Sequence, residues 1–276
     1  MTHPATRSGT LASRTAPWAR GAGWLMDGVR AFAADRAVWT GIGVILLAGS
    51  LLLQVALPVL GTVIVFLLSP LLVGGLMLAL AERGSGRALQ WRDLLRAFSG
   101  SPVGALVAIG AVSLLLNVLA LLFMLAFVNR VAGLETLTQL AQNADMLRSA
   151  MDLTYALGLL VGLLVYVGLL VPITMLVWFA PALVVLEGEG ALAAMKHSFI
   201  GCARNLGPYL VYGLVGLLLL PLLLVLPVVV VAVTGSPSLW PVLLASLASM
   251  LLAFLVAVPV GLASIHSAYR DIFHRA

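Results

Sequence analysis

Long apolar runs alternate with short polar stretches along this chain. Six runs, Val38 to Leu57, Val59 to Ala81, Val103 to Val128, Leu153 to Leu186, Leu206 to Val233 and Leu239 to Ile265, contain no Asp, Glu, Lys or Arg. A helix rises about 1.5 Å per residue and the hydrocarbon core is about 30 Å thick, so about 20 apolar residues cross it once. The pattern therefore predicts an all-α polytopic membrane helix bundle with about six transmembrane helices, at about 38–57, 59–81, 103–128, 153–180, 207–233 and 239–265. The fourth run is longer than one crossing needs, so its last part, from Pro172 or Pro181, is expected at the interface or bent away. Thr234-Gly235-Ser236-Pro237 reads as the turn between the last two spans.

Three short segments ahead of the first, third and fifth spans have a different pattern. Trp91, Leu94, Leu95 and Phe98 fall at helical spacing, with Arg92, Asp93 and Arg96 on the other side. Leu192, Met195, Phe199 and Cys202 form a second stripe, with Lys196, Arg204 and Asn205 towards water, and Leu25, Val29 and Phe32 a third, against Asp27 and Arg30. Aligning Phe32, Phe98 and Phe199 brings Val29-Arg30-Ala31, Leu95-Arg96-Ala97 and Met195-Lys196-His197-Ser198 into correspondence. Ser69-Pro70 and Ala180-Pro181 recur upstream of two of these segments. The expectation is a threefold pseudo-repeat, each unit an amphipathic interfacial helix followed by two spans. Residues 129 to 152 keep a helical period and read as a surface-lying helix on the opposite side; residues 1–17 read as a disordered cytoplasmic tail, leaving 18–276 as a single integral membrane domain.

Composition strengthens this reading. The chain is 62% hydrophobic and 9% charged, far from the balance of soluble domains. No cleavable signal peptide is evident ahead of the first apolar run. The net charge of +5 is explained by topology rather than by nucleic acid, because 13 of the 15 basic residues fall on one side of a six-span arrangement. By the positive-inside rule both termini are cytoplasmic, in a bacterial inner membrane.

Candidate chemistry is sparse. No ionisable residue lies within the six runs, which counts against a carboxylate-based ion-coupled transporter. Gln54 and Asn117 are the candidate intramembrane polar site. The four histidines and the single cysteine, Cys202, have no metal-binding or nucleophile–base spacing, so no metal, cofactor or catalytic residue is expected. Glu187 and Glu189 read as a helix-ending turn followed by the acidic start of the next helix. Gly158 and Gly162 form a GxxxG spacing, read as packing within the protomer. Arg92, Arg96, Lys196 and Arg204 on the interfacial segments are the candidate contacts to anionic lipid headgroups, each worth about 1 kcal/mol near a negative membrane surface.

The stretch from Trp178-Phe179-Ala180-Pro181, through Met195-Lys196-His197-Ser198-Phe199, to Asn205-Leu206-Gly207-Pro208-Tyr209 resembles an uncharacterised family of six-span inner-membrane proteins of proteobacteria. More distantly, it is similar to the membrane domain attached to some glycerophosphodiester phosphodiesterases. The resemblance extends over most of residues 20 to 270 and implies an all-helical inner-membrane bundle without a defined activity. The sequence departs from the phosphodiesterases in carrying no soluble domain with metal-binding His and Glu residues. The expected function is that of a non-enzymatic accessory, assembly or lipid-interacting component whose partners are membrane lipids. The alternative is a small-molecule or lipid transporter or channel.

Overall fold

The structure, a computed structural model, describes residues 13–83, 86–132, 153–216, 229 and 239–274. Among these residues all regular structure is helical. The chain forms α1 (Arg20–Ala34), α2 (Arg36–Ala56), α3 (Pro58–Glu82), a 3-10 helix (Trp91–Phe98), α4 (Pro102–Ala132), α5 (Leu153–Val177), α6 (Ala180–Glu187) and α7 (Ala191–Arg204). It continues with α8 (Leu206–Gly216) and α9 (Leu239–Leu252), then a π turn (Ala253–Ala257), α10 (Val258–Tyr269) and a terminal π turn. Five helical stretches are long and apolar enough to cross a membrane: Arg36–Ala56, Pro58–Glu82, Pro102–Arg130, Leu160–Glu187 and Leu243–His274. The protein is thus a multi-pass helical membrane protein. Beyond Gly216, most of the expected fifth span, the turn at 234–237 and most of the segment 129–152 lie outside the described residues, as do residues 1–12.

The bounds of α2, α3 and α4 follow the apolar runs closely because each is delimited by a breaker. Pro58 opens α3 at its first turn, where a missing N–H costs nothing, and Pro102 does the same for α4. The last helix runs past Ile265 to His274 and widens into a π turn just before Pro259. Proline cannot donate to the carbonyl four residues earlier and its ring crowds that carbonyl, so an extra residue in the turn relieves the conflict.

The fourth apolar run is broken at Trp178 and Phe179, two residues before Pro181. The part after the break turns away and packs among other helices. In α6, Ala180, Pro181, Ala182, Leu183 and Val184 are all buried, packed against α3 and α7. One side chain bridges the break: Ser198 Oγ accepts from the Phe179 N–H at 2.9 Å and donates to the Met175 carbonyl at 2.7 Å. Ser198 is completely buried, so neither backbone group has water as a substitute. Gly188 then ends α6 with φ of 72°, a left-handed cap for which glycine carries no steric penalty.

The three amphipathic segments are helical but turned differently from expectation. In α1 the buried face is Gly21, Trp24 and Gly28, while Met26 and Val29 are exposed. A Cβ on Gly21 would sit 2.0 Å from the Pro208 carbonyl oxygen and one on Gly28 2.4 Å from that of Val260. These two glycines let α1 lie backbone to backbone against α8 and, antiparallel, against α10. In α7 the buried residues are Ala194, Met195, Ser198, Gly201 and Cys202; Leu192 and Phe199 face outward, and Asn205, expected towards water, is fully buried.

The segment 91–98 winds as a 3-10 helix with three residues per turn, which splits the expected stripe. Leu94 and Ala97 share the buried face, Leu95 and Phe98 the exposed one. Asp93, expected towards water, is buried and accepts from the Gln90 N–H at 2.8 Å as one half of a capping box. The common reason is that small and hydrogen-bonding side chains allow close helix approach, while large apolar ones are at no disadvantage facing lipid.

The core is off-centre. Its largest side chains, among them Trp24, Trp39, Phe179 and Tyr269, lie towards the end of the bundle that carries the charged residues. The far parts of α4, α5 and α9 present Leu119, Phe123, Leu160, Leu164, Leu243 and Leu247 outward.

Replacing Ser198 by Ala strands the Phe179 N–H and the Met175 carbonyl together. The expected result is a loss of about 1–3 kcal/mol of stability, read as a lower melting temperature of the detergent-solubilised protein; an unchanged melting temperature would show that the break satisfies itself.

Candidate functional site at the charged end

The ion pairs of the described residues gather at one end of the bundle. Asp271, in the terminal π turn, is almost completely buried; its Oδ2 accepts from Arg20 Nε at 2.5 Å and from Trp24 Nε1 at 2.9 Å. Arg20 also reaches Asp27 Oδ2 at 3.2 Å, and Ser267 Oγ donates to the same oxygen at 2.7 Å. The antiparallel packing of α1 on α10 sets these partners in line. Asp35, at the break between α1 and α2, pairs with Arg83 at the end of α3.

A second cluster surrounds the 3-10 helix. Arg96 grips Glu82 with both terminal nitrogens, at 2.6 and 3.0 Å. Arg87 reaches the buried Asp93 at 2.6 Å. In a third, Glu187 accepts from the Tyr269 hydroxyl at 2.7 Å and lies 2.8 Å from His274 Nε2, while Glu189 lies 2.7 Å from His197 Nδ1. Residues 13–17, expected within the disordered tail, are held as a strap. Ala16 N–H donates to Asn205 Oδ1 at 2.7 Å, Asn205 Nδ2 donates to the Arg14 carbonyl at 2.8 Å, and Arg14 N–H donates to the Ile272 carbonyl at 2.9 Å.

Between α1, α3 and α10 these groups line a polar groove of about 470 Å³, formed by Arg20, Asp27, Arg83, His266, Ser267 and Arg270 with Asp271. An adjoining hollow of about 420 Å³ shares His266 and Arg270 and adds Glu187, Tyr269 and His274. Arg20 and Arg83 are each paired with a carboxylate, and Ser267 donates to Asp27. The arrangement is that of a structural clasp with Arg270 exposed at its rim.

The residues singled out from the sequence are not brought together in one place. Arg92 is exposed, its guanidinium 5.2 Å from the Trp91 ring centroid, a cation–π contact, and Lys196 is exposed on α7. Arg96 is engaged by Glu82, and Arg204 Nη1 donates to the Ser13 carbonyl at 3.0 Å, holding the strap. Gln54 lies exposed near the end of α2. Asn117 donates its amide to the Ser113 carbonyl one turn back, at 2.8 Å, and lines a cleft of about 270 Å³ with Ser69, Ser113 and Thr174.

What sequence reading missed is the knot of Arg20, Trp24, Asp27 and Asp271, whose members lie near opposite ends of the chain. Among the described residues, no group of three or more His, Cys, Asp or Glu side chains could hold a metal ion. Cys202 is buried, and burial pushes its thiol up to about 12. Comparison with protein-family models, curated proteins and solved structures gave no match.

Two outcomes follow from this geometry. A thiol raised to about 12 stays protonated near neutral pH, so a maleimide should leave Cys202 unlabelled in the folded protein at pH 7.5 and label it fully after denaturation. A double-mutant cycle on Arg20→Ala and Asp271→Ala should return a coupling of about 1–3 kcal/mol, below that of a fully buried pair because Arg20 is partly exposed. Additive effects would show that Asp271 acts through Trp24 alone.

Proposed function

We propose that this chain is a lipid-interacting accessory or assembly component of a bacterial inner membrane, with no enzymatic activity of its own. In this reading it has six spans, and both termini are cytoplasmic. The charged end is the cytoplasmic end, since most of the basic residues of the chain belong to its segments.

The observation that carries the reading is the outward face of the three short helices. Each presents large apolar side chains beside exposed cations: Met26 and Val29 with Arg30, Trp91, Leu95 and Phe98 with Arg92, Leu192 and Phe199 with Lys196. Apolar groups that enter the acyl boundary next to cations at phosphate level are what an interfacial helix needs. The correspondence of Val29, Leu95 and Lys196, exposed, and of Ala97 and Ser198, buried, supports a threefold pseudo-repeat. It accords with the resemblance to six-span inner-membrane proteins. The transporter alternative has less support, because Asn117 is occupied by its own helix and Gln54 lines no cavity described above.

The test is native mass spectrometry of protein released from nanodiscs of phosphatidylethanolamine and phosphatidylglycerol. Arg92→Ala combined with Lys196→Ala should reduce retained phosphatidylglycerol about thirtyfold, since each cation contributes about 1 kcal/mol, and leave phosphatidylethanolamine unchanged. Equal retention of phosphatidylglycerol by both proteins would remove the headgroup role from these residues.

A further inference from the structure

The groove between α1, α3 and α10 holds donors that the clasp does not use. The three carboxylates around it are each matched by an arginine: Asp271 by Arg20, Asp27 by Arg30 and Asp35 by Arg83. Asp27 also accepts from Arg20 and Ser267, and Asp271 from Trp24. A further arginine, Arg270, lines the groove and forms no ion pair among the described residues, so one positive charge is left over. Glu187, in the adjoining hollow, is engaged by Tyr269 and His274 instead.

His266 stands one helical turn before Arg270 on α10 and lines both hollows with it. The residue is partly buried, yet neither of its ring nitrogens has a hydrogen-bond partner among the described residues and neither is sealed off by protein atoms. A neutral imidazole carries one N–H donor, and this one meets the groove. From α3, Arg83 gives one terminal nitrogen to Asp35, which leaves the other N–H groups of its guanidinium uncommitted. Two helices thus bring unused donors to one hollow whose acceptors are already engaged.

Such a hollow suits an anion that is met from more than one direction. A carboxylate presents two oxygens in one plane, whereas a phosphate presents its oxygens tetrahedrally and matches the arginine fork. We propose that the groove binds a phosphate group, held from α10 by Arg270 and His266 and from α3 by the free N–H groups of Arg83. Its volume of about 470 Å³ is that of a small-molecule site, so part of what the phosphate is esterified to is enclosed as well. A phospholipid headgroup and a soluble phosphate ester both supply this chemistry. The groove is separate from the outward faces that carry Arg92 and Lys196, and the inference goes beyond the lipid-interaction reading without depending on it.

Isothermal titration calorimetry of the detergent-solubilised full chain in phosphate-free buffer tests the site and tells the two sources apart. The probes are sn-glycerol 3-phosphate and monomeric dihexanoyl phosphatidylglycerol. Binding of both supports the site and assigns it to soluble phosphate esters as well as headgroups; binding of the lipid alone supports it as a headgroup site. In either case Arg270→Gln should weaken binding about tenfold, as expected for one charge-assisted hydrogen bond, and His266→Phe about fivefold, as for one neutral hydrogen bond. Arg270 has no partner to strand, so the Arg270→Gln protein should keep the wild-type melting temperature, which separates lost binding from lost folding. Arg92→Ala combined with Lys196→Ala should leave the binding unchanged. Binding of neither probe, or binding that Arg270→Gln and His266→Phe both leave intact, would overturn the site and leave the retention of phosphatidylglycerol through Arg92 and Lys196 standing. Binding lost only in the Arg92 and Lys196 double variant would place the phosphate on the outward faces and overturn it too.

Discussion

A carboxylate taken almost wholly out of water must be met by donors, and Asp271 is met by two from the other end of the chain. Arg20 and Trp24 converge on one of its oxygens, and their arrival requires α1 to lie along α10 at a distance that Gly28 permits, while Gly21 gives the same close approach to α8. From that placement follow the contacts of Asp27 with Ser267, the packing of Trp24 against the Tyr209 ring and the alignment of the strap with Asn205. Removing the carboxylate would leave a guanidinium and an indole N–H facing each other in a site built to separate them, which is why the interaction organises more of the structure than its own energy suggests.

The same logic of satisfying polar groups governs the irregular points of the backbone. Ser198 closes the break before Pro181, Asn205 accepts from the strap while donating to the Arg14 and Gly201 carbonyls, and Asp93 caps the 3-10 helix while neutralising Arg87. Each is a single small side chain with several bonds, and each sits where helices change direction. In a chain whose long helices carry no charge, such residues are what allow short helices to be inserted among spans without orphaned backbone groups.

Much of the architecture was legible from hydropathy alone. The limits of α2, α3 and α4 follow the charge-free runs, and of the two prolines named in the fourth run it is Pro181 that follows the break. The clustering of Arg and Lys announced a charged end. The faces of the short helices were not legible, because periodicity groups Leu94 with Leu95 and Met195 with Phe199 on one apolar stripe, and the structure buries one of each pair and exposes the other. Small and hydrogen-bonding side chains such as Gly21, Gly28, Ala97 and Ser198 take buried positions beside Trp24, Leu94 and Met195, and large apolar ones are at no disadvantage where the surroundings are lipid. The knot at Asp271 was illegible for another reason. Its partners are separated by 251 residues, and no local pattern distinguishes a carboxylate with a distant arginine from one facing water.

The pairing of α1 with α10 also has a bearing on how the protein is made. Arg20 is synthesised 251 residues before Asp271, so the glycine face of α1 and Arg20 wait unpaired while everything between is made. At about 5–20 residues per second, that interval is on the order of ten to fifty seconds. During it the spans can insert one after another, but the charged end cannot close. Closure of the charged end is thereby tied to synthesis of α10, and a product that stops before Asp271 leaves α1 unclasped, a mark by which quality control could recognise it.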